Sequence, residues 1–176
     1  MSNMFNNHTR IKSFELFERC FKKRLYAEYP QINNHLIHCS TVEQYLQLEN
    51  VPKLRNFENY SFFYAYNDTG KDENDNCFIA IIISPEICEL LKFTRTEILS
   101  AIAHEIGHII HISNSCLNKA SDSWKEIKAD EVAYKLGLSR HLISLLEKLI
   151  ISNLYTEEQN SLLQTRIKYL TRLDSF

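Results

Sequence analysis

Glycine and proline are scarce in this chain, three of each in 176 residues. So few turn formers fit a mostly helical domain, and no internal repeat or low-complexity stretch is present. Long apolar runs are also missing: the longest, Phe78 to Ile83, is far too short to cross a bilayer. Neither charge sign dominates, with 20 basic and 22 acidic residues, which removes the electrostatic footprint of a nucleic-acid or anionic-membrane binder. The five cysteines (20, 39, 77, 88 and 116) show no C-x-x-C spacing and read as reduced thiols, most of them buried. The N-terminus lacks a charged segment followed by an apolar run, so the expectation is a cytoplasmic protein without a secretory signal. The length suits one domain, 1–176, with a real core.

Against this background one stretch specifies chemistry. Between Thr94 and His111 the apolar residues Ile98, Leu99, Ile102, Ile106, Ile109 and Ile110 have the spacing of a buried helix, and His104, Glu105 and His108 are set inside it. On a helix His104 and His108 lie one turn apart on one face, where both imidazoles can hold a single Zn²⁺. Glu105 lies about 100° further round, placed to reach a metal-bound water rather than to ligate. At this composition the H-E-x-x-H pattern arises by accident in about 2–3% of shuffled chains. The apolar flanks reduce that, because polar groups inside such a helix are costly without partners.

A hydrolytic zinc site takes three protein ligands, so a third lies elsewhere in the chain. Glu126, in Trp124-Lys125-Glu126-Ile127-Lys128-Ala129-Asp130, is the candidate, with Asp130 one turn further on the same face, placed to orient a ligand histidine. The bland alternative is a solvated acidic pair. Ala129 and Ala133, which leave room for close helix packing, weigh against it.

Around these motifs the pattern predicts a helix from Arg10 to Tyr29 ended by Pro30, and a shorter helix from Ser40 or Thr41 through Leu48. Strands follow at Asn59–Tyr66 and Cys77–Ile83, joined by the polar loop 67–76 into an antiparallel hairpin. A short helix opens at Ser84-Pro85, and others run from Ser123 to Leu136, from a Ser139 cap to Ile151, and from Thr156 to Leu173. The predicted fold class is α+β, mostly helical, with a small antiparallel sheet or hairpin packed on the zinc-binding helix and further helices. Residues 1–55 form a helical extension of a catalytic core spanning 56–176.

His104-Glu105-Ile106-Gly107-His108 followed by Glu126-Ile127-Lys128-Ala129-Asp130 resembles the gluzincin zinc metallopeptidases, above all the minigluzincins and the catalytic domain of CAAX-processing and heat-shock membrane zinc proteases. The likeness extends from about Asn59 to Leu170 and includes a late Arg166-Ile167. It departs in two places: the strand Phe62-Phe63-Tyr64-Ala65 lacks the Asn-Ala pair beside the substrate, and no His-Pro precedes Arg166.

The resemblance implies a zinc-dependent endopeptidase acting on peptide or protein substrates. His104, His108 and Glu126 would hold Zn²⁺, Glu105 would be general base, and Asp130 would orient a ligand. By resemblance Arg166 would stabilise the oxyanion, with Tyr155 and His141 behind it. An extended substrate would pair with an edge strand, either Tyr60–Tyr66 or Phe78–Ile83. Two other accounts compete: a non-proteolytic zinc-stabilised interaction module, and a latent protease whose site is covered by Arg10–Tyr29 or by the tail Thr171–Phe176. His111 is read as a surface or packing residue, and His8, His35, His38 and His141, which have no partner spacing, as ordinary histidines rather than ligands.

Overall fold

The computed structural model describes residues 17–33, 35–41, 63–71, 77–112 and 120–175. A π-helical turn, Glu18–Lys22, leads into helix α1, Lys23–Glu28, and a 3-10 turn at Pro30–Ile32. Strands β1 (His35–Thr41), β2 (Phe63–Lys71) and β3 (Cys77–Ile83) precede helices α2 (Pro85–Leu90), α3 (Arg95–Ile112), α4 (Asp122–Lys135), α5 (Ser139–Ile151) and α6 (Glu157–Leu173).

The fold class predicted from the sequence, α+β, mostly helical, with a small antiparallel sheet or hairpin packed on the zinc-binding helix and further helices, is corrected by this architecture. Among the described residues six helices carry the fold, and the helical body around α3 contains no strand or sheet of its own. Beside that body the described strands run in the order β1-β3-β2, with β2 antiparallel and β1 parallel to β3. Ser40 and Thr41, predicted to cap a helix, pair in β1 with Ile82 and Ile83. Polar residues gave His35–Thr41 no strand alternation to detect, and a parallel partner so distant in sequence leaves no local signal. Of the predicted helices, residues 10–16 of the first and 42–48 of the second lie outside the described residues. β2 also runs through Asn67–Lys71, which the sequence reading placed in a loop.

Helix ends show why the later elements start and stop where they do. Thr94 and Glu97 form a reciprocal cap on α3: the Thr94 amide donates to Glu97 Oε2 (2.6 Å) and the Glu97 amide to Thr94 Oγ1 (3.3 Å). Thr156 and Gln159 form the same device on α6. The α4 helix ends at Gly137, whose φ of +78° allows the Gly137 amide to reach the Tyr134 carbonyl and the Leu138 amide that of Ala133. Ser139 does not cap α5, being its first helical residue.

The core is aliphatic and centred on α3. Leu99, Ile102 and Ile106 pack with Leu142, Leu146 and Leu170 of α5 and α6, all at most 1% exposed, and Ile37 and Ile81 join from the sheet. Two contacts set how α3 lies. At Gly107 an added Cβ would fall 2.6 Å from both Cα and O of Ala129, so α3 and α4 meet backbone to backbone. At its start, Glu97 is buried and receives Ser144 Oγ and Lys148 Nζ of α5, each at 2.7 Å. Burial pushes the Glu97 carboxyl up, but the hydrogen bonds from Lys148, Ser144 and Thr94 outweigh it and hold the pKa below its usual value.

Two outcomes follow. Alanine at position 107 gains about 1 kcal/mol in helix propensity, yet the clash is with main chain that cannot turn aside. Gly107→Ala is therefore expected to lower stability by about 1–3 kcal/mol, read as a fall in the thermal midpoint. Glu97→Gln is expected to cost about 1–3 kcal/mol at neutral pH. Because the folded pKa is depressed, that contribution is present above the unfolded value of about 4.3 and fades as pH falls through the folded value. The gap between the two melting curves should narrow on acidification below pH of about 4.

Candidate metal centre

Helix α3 presents His104 and His108 on one face, and the Gly107–Ala129 contact brings α4 against that face with Glu126. The three donors converge. His104 Nε2 lies 3.1 Å from His108 Nε2 and 3.3 Å from Glu126 Oε2, while His108 Nε2 lies 3.3 Å from Glu126 Oε1. Ligands about 2.1 Å from a tetrahedral ion are separated by about 3.3 Å, so the spacing suits one ion held by all three.

His104 Nδ1 is 2.7 Å from Asp130 Oδ1, within reach to donate to the carboxylate, which turns Nε2 toward Glu126 and His108. His104, His108 and Glu126 form a group that can hold a metal ion.

Arg166, from α6, closes the floor of the site. Its Nε and Nη2 donate to Asp130 Oδ2 (2.9 Å) and Oδ1 (2.8 Å), and Nη1 lies 2.9 Å from Glu126 Oε2. Asp130 is fully buried and Arg166 is 7% exposed, whereas the His108 and Glu126 side chains keep 28% and 26% of their surface. The centre is sealed below and open on the His108–Glu126 side.

Charges in so dry a place shift their protonation. Burial and the Arg166 guanidinium oppose a proton on His104, but Asp130 and Glu126 outweigh them and push its pKa up to about 9. Burial favours protonated forms of Glu126 and Asp130 too, yet the imidazoles hold Glu126, and Arg166 with His104 holds Asp130, well below the usual carboxylate range. Glu105 behaves oppositely: burial raises its pKa and the cationic neighbours do not fully compensate.

The structure thus brings His104, Glu105, His108, Glu126, Asp130 and Arg166 together. Tyr155, at the turn before α6, belongs to the same neighbourhood. Burial pushes its phenol up to about 12, and it feels the charges of Arg166, Glu126 and Glu105. His141 is elsewhere, lining a cavity of about 790 Å³ with Arg24, Lys135 and Asp174. His111 takes the packing role predicted for it: its Nε2 is 3.1 Å from the Lys128 carbonyl, tying α3 to α4. Trp124 stands at the start of α4 with 43% exposure, and Lys128 Nζ lies 4.9 Å from its ring centre. What sequence reasoning missed was the partner of Arg166, because α4 and α6 meet only in the folded chain.

Replacing Glu126 by Ala removes one of three donors and should abolish stoichiometric metal binding. Glu131→Ala, on the same helix but paired with Lys128 and Tyr169, should leave it intact. Metal content after dialysis against micromolar zinc distinguishes the two.

Comparison of the chain with protein-family models, with curated proteins and with solved structures found no match.

Proposed function

We propose that this chain is a zinc-dependent metallopeptidase of the gluzincin type, hydrolysing peptide bonds. The observation that carries the reading is the convergence of His104, His108 and Glu126 at tetrahedral ligand spacing, with the buried Glu105 beside them. Two imidazoles and one carboxylate are the donor set of hydrolytic zinc.

A divalent ion in this place supplies Lewis-acid chemistry, lowering the pKa of a coordinated water and polarising a carbonyl. The rest falls to the protein's own groups. Glu105 accepts a proton from the attacking water on its carboxylate and returns it to the leaving amine. Burial raises the Glu105 pKa, which favours its holding the proton between the two transfers. Asp130 keeps His104 in the tautomer that points Nε2 at the donor cluster. The exposed His108–Glu126 side leaves an approach for the scissile bond.

An extended substrate pairs best along β2. β3 lies between β1 and β2, so both of its edges are already bonded, which removes Phe78–Ile83 from the two strands considered above. β2 lies at the edge of the three-stranded sheet, beside α3. Among the described residues no helix is long and apolar enough to cross a membrane.

The competing account, a zinc-stabilised interaction module, needs neither an approachable ion nor a buried acid beside it. Covering by the C-terminal tail has no observation in its favour either. Tyr134 Oη donates to the Leu173 carbonyl and Ser139 Oγ to Asp174, holding the last described residues against α4 and α5.

Glu105→Gln should retain one zinc per chain while hydrolysis of unfolded protein substrates falls by at least about 100-fold. Undiminished cleavage by a zinc-loaded variant would remove Glu105 from the chemistry, and a wild-type protein that binds zinc but cleaves nothing would favour the interaction module.

A further inference from the structure

We propose that Arg166 is a positioning residue for the metal ligands, a clamp that presets Glu126 and Asp130, rather than the donor that stabilises the oxyanion. The inference rests on the metal site proposed above and goes beyond it by assigning what builds that site from behind.

Geometry carries the assignment. One guanidinium spans two carboxylates: its Nε and Nη2 take both oxygens of Asp130 side-on, and its Nη1 takes Glu126 Oε2. Glu126 and Asp130 are one turn apart on α4, where two negative charges repel. Placed between them, the fork cancels that repulsion and sets the carboxylate plane of Glu126, so that Oε2 faces His104 and Oε1 faces His108. The same guanidinium holds Asp130, which holds the His104 ring through Nδ1. Two of the three ligands, Glu126 and His104, are therefore oriented by one side chain.

Placement opposes the donor role. A group that stabilises an oxyanion has to face the substrate, on the side where His108 and Glu126 are exposed. Arg166 lies on the sealed side, 7% exposed, with Asp130 beneath it fully buried. Nη2 also runs along the His104 ring, 3.1 Å from Nδ1 and 3.4 Å from Nε2. With Nδ1 turned to Asp130, these contacts pack the guanidinium against the ligand without pointing it toward the opening. Lysine cannot reproduce the arrangement, having one ammonium where two carboxylates are bridged.

The test compares wild type, Arg166→Lys and Asp130→Asn in three measurements: zinc affinity by chelator competition, the visible spectrum of the cobalt(II)-loaded protein, and turnover at saturating zinc. As a clamp, Arg166→Lys weakens zinc binding by about 10–100-fold and shifts the cobalt bands. Asp130→Asn turns an amide against the same guanidinium and shows a similar loss. Unchanged affinity and spectrum with turnover lost at saturating zinc would make Arg166 a transition-state donor and overturn the proposal. If Arg166→Lys does not fold, judged by far-ultraviolet circular dichroism, Asp130→Asn decides: unchanged affinity overturns the clamp and weakened affinity supports it. Failure of wild type to bind zinc would instead overturn the metal site itself, an outcome separate from these.

Discussion

The contact of Gly107 with the main chain of Ala129 is the constraint on which the rest depends. Any side chain at 107 would hold α3 and α4 further apart, and the short distances from both imidazoles to Glu126 exist only because nothing intervenes. Helix packing at ordinary separation, 8–10 Å between axes, is set by side chains. Here a residue that weakens a helix is placed where its lack of a side chain is needed. The His111 bond to the Lys128 carbonyl reinforces the same joint one turn on, so the ligand pair is pinned to α4 at both positions.

Around that joint the protein concentrates charge in a place where charge is costly. Asp130, Arg166, His104 and Glu105 are all at most 7% exposed. Ion pairs so deeply buried recover their desolvation only with close geometry and satisfied hydrogen bonds. Arg166 meets that requirement by bridging two carboxylates, and Asp130 by accepting from both Arg166 and His104. A large aliphatic core from α3, α5 and α6 surrounds the cluster and supplies the burial that offsets it.

Legibility in the sequence followed the range of the interaction. The α3 ladder of Ile98, Leu99, Ile102, Ile106, Ile109 and Ile110 repeats at helical spacing, so the helix and the shared face of His104 and His108 could be read from i, i+4 arithmetic. Glu126 and Asp130 were legible for the same reason. The sheet was read less well: β3, rich in β-branched residues, was correctly bounded at Cys77–Ile83, while β1 was missed and its last two residues assigned to a helix cap. Strand pairing is a property of two distant segments, and His35–Thr41 has too few apolar residues to show a period. The α+β reading, with a small sheet or hairpin packed on the zinc-binding helix, failed because it gave the strands a place in the fold class, when among the described residues six helices carry the fold.

By itself the sequence determined which residue types could act and their order along each helix, since a turn of helix converts four positions into one face. That covers the ligand pair, the acid next to it, and the second acidic pair on α4. Only the tertiary structure decided that α4 lies on α3 closely enough for Glu126 to meet the two imidazoles. It also decided that Arg166 faces Asp130 and Glu126 from the buried side, and that one flank of the cluster stays open. Those are distances between segments 18 to 62 residues apart, set by packing of backbone and side chains that no local pattern encodes.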